Sequence, residues 1–237
     1  MPAVFVHGVP DTSELWDPLL AELTRADTIA LRLPGFGAPI PDGFACTKEE
    51  YAAWVAERVR ELGEPVDLVG HDWGSILVQR IATTTPELIR TYTLSDGVVS
   101  PIFVWHDLAQ QWQTPELGEQ IMELMTPDAI VAALSDAQHP DAAAAAARGD
   151  DAMKRAILCL YRSAVDLRSE WDPGERAQQR PGLVMWGCDD PYGSPAGGEA
   201  AARAAGARFV LVDGGHWAIL EHPAQTARTL EEHWASA

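Results

Sequence analysis

The pentapeptide Gly70-His71-Asp72-Trp73-Gly74 sets an aspartate between two glycines. It joins an apolar run, Val66-Asp67-Leu68-Val69, to a helical pattern that begins at Ser75. Glycines two residues before and two after the central position permit a sharp, strained strand-to-helix turn, which lifts the central side chain above a sheet. A serine at such an apex performs acyl transfer. A carboxylate suits a different target, an sp³ carbon bearing a leaving group, and its attack leaves a covalent alkyl ester.

Turnover then requires a base that activates water against the ester. Asp213-Gly214-Gly215-His216-Trp217 follows the last strand-like run and precedes a helix, which puts His216 on a loop at the same sheet edge as Asp72. A histidine base needs a carboxylate to hold its tautomer. Two stand at strand ends: Asp190, in Trp186-Gly187-Cys188-Asp189-Asp190-Pro191, and Asp96, in Leu94-Ser95-Asp96-Gly97. The oxyanion formed during ester hydrolysis needs backbone donors. The amides of Val9, in His7-Gly8-Val9-Pro10, and of Trp73, at a helix N-terminus, are the candidates. His222, in Glu221-His222-Pro223, reads as structural.

Strand ends must carry these residues, and the hydrophobic pattern supplies them. Strands are expected at 3–6, 28–33, 66–69, 91–95, 183–186 and 208–212, and helices at 14–23, 47–62, 75–83 and 224–234. Thr47 and Glu50 match a capping box. Short apolar strands alternating with helices imply an α/β fold, a mostly parallel sheet covered by helices. From about residue 99 to 180 the alternation breaks into helical patterns at 115–125, 128–137 and 150–165. Residues 99–180 therefore read as a helical cap inserted between two parts of one core, 1–98 and 181–237. Such a cap lies over the C-terminal ends of the strands, where ligands bind in open α/β sheets. The alanine run 142–147 reads as a helix or a solvated linker within it.

Bulk properties narrow the partners. A chain of 237 residues accommodates one large domain with an insertion. Its net charge of −18 disfavours nucleic acid and anionic membrane surfaces. With no signal peptide and no long apolar run, a cytoplasmic monomer or homodimer is expected. Cys46, Cys159 and Cys188 are odd in number and widely spaced, so they read as buried small hydrophobes rather than metal ligands or disulfide partners. Neither a metal nor a cofactor is expected.

Together, His7-Gly8-x-Pro10, Gly70-His71-Asp72-Trp73-Gly74-Ser75, Trp186-Gly187-x-x-Asp190-Pro191 and Gly215-His216-Trp217 resemble the epoxide hydrolase and haloalkane dehalogenase group of the α/β-hydrolases. The resemblance spans nearly the whole chain and favours Asp190 over Asp96 as the partner of His216. It departs at the start, where two leading strands are absent, so a trimmed sheet is expected.

The leaving group separates the two chemistries. A departing epoxide oxygen needs a hydrogen-bonding acid, whereas a halide needs only N–H donors in a dry pocket. The resemblance implies phenols from the cap for the first case, and Tyr161, in Leu160-Tyr161-Arg162-Ser163, matches the second of them. No tyrosine stands where the first would lie, in Val104-Trp105-His106-Asp107-Leu108-Ala109-Gln110-Gln111-Trp112, and His106 is the candidate to replace it. For a halide, Trp73 with Trp105 or Trp112 would serve. The expectation is an epoxide hydrolase acting on a small lipophilic epoxide. A haloalkane dehalogenase is the alternative enzyme, and a non-catalytic ligand-binding homologue the alternative of another class.

Overall fold

The computed structural model describes residues 1–173 and 179–237. Among these, six parallel strands form one sheet: β1 (Ala3–Val6), β2 (Thr28–Leu31), β3 (Val66–His71), β4 (Ile89–Ser95), β5 (Gly182–Gly187) and β6 (Arg208–Val212). Their spatial order is β2-β1-β3-β4-β5-β6, so the connections reverse direction beside β1 and β3. Every C-terminal strand end thus faces the same edge, and the loops from β1, β3, β4, β5 and β6 converge there.

Alternation along the strands divides the apolar residues between two layers. Val4, Val6 and Leu68 pack into one core, while Ala3, Phe5 and Val69 pack into another on the opposite face. The helices over the core are α1 (Asp17–Glu22), α2 (Lys48–Arg60) and α3 (Trp73–Thr84). Between β4 and β5 come α4 (Asp107–Gln113), α5 (Leu117–Leu124), α6 (Pro127–Asp136), α7 (Ala142–Arg148), α8 (Asp151–Arg162) and α9 (Leu167–Trp171), with no strand among the described residues of this interval. Helices α10 (Pro195–Ala205), α11 (Ala218–Glu221) and α12 (Pro223–Ala235) complete the chain. The 99–180 interval expected for the cap includes residues 174–178, which lie outside the described residues. No described helix is long and apolar enough to cross a membrane.

Local chemistry explains where expected and observed elements differ. The helix expected at 14–23 is a 3-10 turn, Ser13–Trp16, followed by α1, because Pro18 has no N–H and belongs in a helix's first turn. The Thr47 capping box forms as read, with Glu50 reaching back to the Thr47 amide. The alanine run is α7, capped by Asp141, whose Oδ1 accepts from Ala144 N. Helix α10 escaped the pattern because Gly197 and Gly198 depress helix propensity. Gly198 is nonetheless required, since a Cβ there would press on the Trp186 ring. Of the cysteines, Cys46 is buried but Cys188 is half-buried and Cys159 exposed, on the face of α8 opposite Tyr161 and Ile157.

Candidate active site

The turn after β3 takes the form its glycines allow. Asp72 adopts φ 52° and ψ −123°, a strained conformation held from both sides. Its amide donates to Ser95 O, and its carbonyl accepts from the amides of Ser75 and Ile76 in the first turn of α3. A Cβ at Gly74 would collide with the β1 backbone carbonyls, at Gly70 with the Gly74 carbonyl, and at Gly8 with the Asp72 carboxylate. The glycines therefore let β1, β3 and the start of α3 close around one carboxylate.

That carboxylate is met from two directions. Its Oδ2 accepts from the Val9 amide at 2.7 Å. Its Oδ1 lies 3.7 Å from His216 Nε2. The Trp73 amide opens α3 and has no intrahelical acceptor, so it remains available beside Asp72. On the far side of the imidazole, Nδ1 lies 3.0 Å from Asp190 Oδ1. Asp96 is close by but engaged elsewhere: Gly187 N donates to its Oδ1 at 2.7 Å, and the Ser95 hydroxyl donates to its Oδ2. Of the two carboxylates left open by the sequence, Asp190 is the one that meets the histidine.

Burial and charge set the protonation states. Burial works to lower the His216 pKa, yet the Asp190 and Asp72 carboxylates outweigh it and hold the imidazole well above its ordinary value. Asp190 is depressed in turn, because its pairing with His216 and the Tyr192 amide overcomes the cost of burial. Burial pushes Asp96 up to about 7. Burial lowers His71 to about 4, so it stays neutral while its Nε2 donates to the His216 carbonyl at 2.8 Å and anchors that loop.

The interval between β4 and β5 supplies the opposite wall. Tyr161, on α8, is buried with its ring 5.4 Å from that of Trp73, 5.2 Å from Trp105 and 4.9 Å from Trp112. Burial raises its phenol pKa well above the usual range, and the Asp72 charge reinforces this. His106 is the N-cap of α4, where its Nδ1 accepts from Ala109 N at 3.2 Å. That bond assigns the ring proton to Nε2, and burial keeps the imidazole neutral. Trp105 Nε1 donates to the Ala164 carbonyl at 2.8 Å and is committed. Trp112 Nε1 is buried without a partner among the described residues, while Trp73 Nε1 lies near the Tyr161 phenol outside hydrogen-bond geometry. The interval is tied to the core through Asp11, which accepts from Trp217 Nε1 and meets His139 Nε2, each at 2.9 Å. His222 sits between α11 and α12 and caps them.

A cavity of two lobes opens above Asp72. The larger, about 250 Å³, runs past Asp96, Phe103, Trp105 and Ser194. The smaller, about 70 Å³, is apolar and bordered by Val9, Leu108, Trp112 and Leu134. Both share Asp72, His106, Tyr161, Tyr192 and His216. Tyr192 was missed by sequence reasoning, although its position two residues after Asp190 at a strand end was a usable signal. Among the described residues no group of three His, Cys, Asp or Glu side chains is placed to hold a metal ion.

Comparison with known proteins identifies the family and the fold. The model of the Alpha/beta hydrolase family matches residues 3–229. A curated relative, the (E)-2-((N-methylformamido)methylene)succinate hydrolase of Acinetobacter baylyi, is 28% identical over 99 residues, 41% of this chain and 38% of that protein. "Probable oxidoreductase EphD" of Mycobacterium tuberculosis is 40% identical over 105 residues, 41% of this chain and 16% of that protein. The matches therefore span well under half the length of either relative. Among solved structures, the haloalkane dehalogenase DbeA of Bradyrhizobium elkani superposes with a TM-score of 0.76 at 21% identity, covering 100% of this chain and 91% of that one. The enol-lactonase of Burkholderia xenovorans superposes with a TM-score of 0.74 at 22% identity, covering 99% and 91%. At these identities the structural matches speak to the fold.

Proposed function

The chain belongs to the alpha/beta hydrolase family, and from that premise we propose that it is a cofactor-free epoxide hydrolase, opening a small lipophilic epoxide to a vicinal diol. The observation that carries the reading is the placement of a buried phenol, Tyr161, and a donor imidazole, His106, on the cavity wall with an aspartate nucleophile. The helices between β4 and β5 act as the cap that brings them there.

In the first half-reaction Asp72 Oδ1 attacks an epoxide carbon, because Oδ2 is held by the Val9 amide and becomes the ester carbonyl. The C–O bond breaks toward oxygen, Tyr161 supplies the proton, and the His106 Nε2–H adds a hydrogen bond. Esterification removes the Asp72 charge, one of the two supports of the raised His216 pKa. The resting imidazolium then gives up its proton to solvent and becomes a competent base at the step that needs one, and it regains that proton once Asp72 is again a carboxylate. It takes a proton from water, the Val9 and Trp73 amides hold the oxyanion, and the ester collapses as His216 returns that proton to the departing alkoxide, which leaves as the diol. The proton released as Asp72 returns to its carboxylate restores the phenol. Asp190 orients His216 throughout.

One observation favours a second reading, haloalkane dehalogenation: the Trp112 indole N–H is buried beside the apolar lobe without a partner among the described residues. Incubating the enzyme with terminal and internal epoxides and with bromoalkanes separates the readings. Diol release from epoxides with no bromide release is expected. Bromide release without diol would establish the dehalogenase, and saturable binding without either product would establish a binding protein.

A further inference from the structure

We propose that Tyr192 is a second catalytic acid for ring opening, so that the departing oxygen is met by phenols from two parts of the chain, α8 and the loop after β5. This inference rests on the epoxide reading.

Five residues border both lobes of the cavity, and four of them have roles above: nucleophile, base, phenol and donor imidazole. Tyr192 is the fifth. Its backbone is locked to the catalytic apparatus, because its amide donates at 2.9 Å to Asp190 Oδ1, the same oxygen that meets His216 Nδ1. Its ring stands edge-on to His216 at 5.0 Å and 82°, and 5.2 Å from His106. It thus lies between the base and the N-terminus of α4, on the wall of the cavity that Asp72 also lines. Among the described residues no protein group accepts from its hydroxyl, which leaves that proton for a ligand. Burial, with the Asp190 and Asp72 charges, raises its pKa and keeps it protonated in the resting site.

The chemistry of His106 leaves a place for a second phenol. A neutral imidazole N–H donates a hydrogen bond but is a far weaker acid than a phenol, and burial keeps His106 neutral. It can therefore polarise the epoxide oxygen without supplying its proton. With Tyr161 and Tyr192 both hydrogen-bonded to the departing oxygen, one phenol delivers the proton and the other stabilises the developing alkoxide as Asp72 Oδ1 bonds to carbon and the C–O electron pair moves to oxygen. The phenolate left behind is neutralised by the proton that ester hydrolysis returns, so epoxide and water balance to diol.

The test measures ester formation by rapid-quench intact mass in the His216→Gln background, with and without Tyr192→Phe. The phenylalanine keeps the ring against His216 and removes only the hydroxyl. Loss of an acid slows ester formation on the order of 100-fold, while ester hydrolysis in the single Tyr192→Phe variant keeps its wild-type rate. The defect shrinks with epoxides bearing electron-withdrawing substituents, whose alkoxides need less help to leave; a packing role would give no such dependence. Ester formation at full rate in Tyr192→Phe, with the parent enzyme active on epoxides, overturns the Tyr192 assignment alone. No ester from any epoxide in the His216→Gln background overturns the epoxide reading and this inference with it.

Discussion

The strand-end loops and the helices between β4 and β5 build the site in different ways. In the loops, backbone geometry dictates position: Asp72 sits at positive φ, its carbonyl and amide are both bonded, and Gly8, Gly70, Gly74 and Gly97 around it admit no Cβ without collision. In the helical interval, side chains reach the site by packing: Tyr161 is placed by three indole rings, and His106 by serving as an N-cap. In the proposed reaction the first region carries the covalent steps and the second meets the leaving group.

Substitutions that remove the nucleophile should separate the two regions most sharply. Asp72→Asn should lower turnover on the order of 10⁴-fold or more while the fold persists, read by steady-state assay and circular dichroism. Asp190→Asn should cost roughly 10³- to 10⁴-fold, since it disrupts the tautomer of His216, and Asp96→Asn far less. An equal loss from the two would contradict the geometry that assigns His216 to Asp190. Across the cavity, Tyr161→Phe should slow ester formation roughly 100-fold and leave ester hydrolysis unchanged, because the phenol acts only on the leaving oxygen. A matching defect in both half-reactions would show that this wall also positions water.

Acid titration gives the smallest effect and concerns the loops alone. Between pH 4 and 6.5 the unfolded chain binds a proton at His71 that the folded chain, with His71 near 4, does not, so this group makes stability rise with pH. Asp96, raised to about 7, keeps in the fold a proton that the unfolded chain loses above its ordinary carboxylate pKa, so it makes stability fall over the same window. The slopes offset in the parent protein. Asp96→Asn removes the opposing slope, so urea denaturation should show stability rising more steeply from pH 4 to 6.5 than in the parent protein.

The same contrast explains what the amino-acid sequence revealed. The strands, the elbow, His216 and the pair of carboxylate candidates were legible because glycine spacing and strand-end position follow from backbone sterics. The preference for Asp190 over Asp96 came only from the resemblance, since both stand at strand ends, and it is the Ser95 and Gly187 bonds that show Asp96 engaged elsewhere. Helix α4 was hidden by its brevity and α10 by its glycines. Tyr192 carries no periodic signal at all; its role emerges from a loop folding back onto Asp190. The exposure of Cys159 was set by the register of α8, which turns Tyr161 inward and Cys159 outward.

The central claim, an Asp72 ester formed on an epoxide, is tested most directly by the intact mass of His216→Gln after exposure to a small epoxide and, separately, a bromoalkane. The account predicts a stable adduct equal to the whole epoxide mass, mapped to Asp72 by peptide sequencing, and no adduct from the bromide. An alkyl adduct from the bromoalkane alone would contradict it and make the Trp112 indole the group that receives the leaving atom.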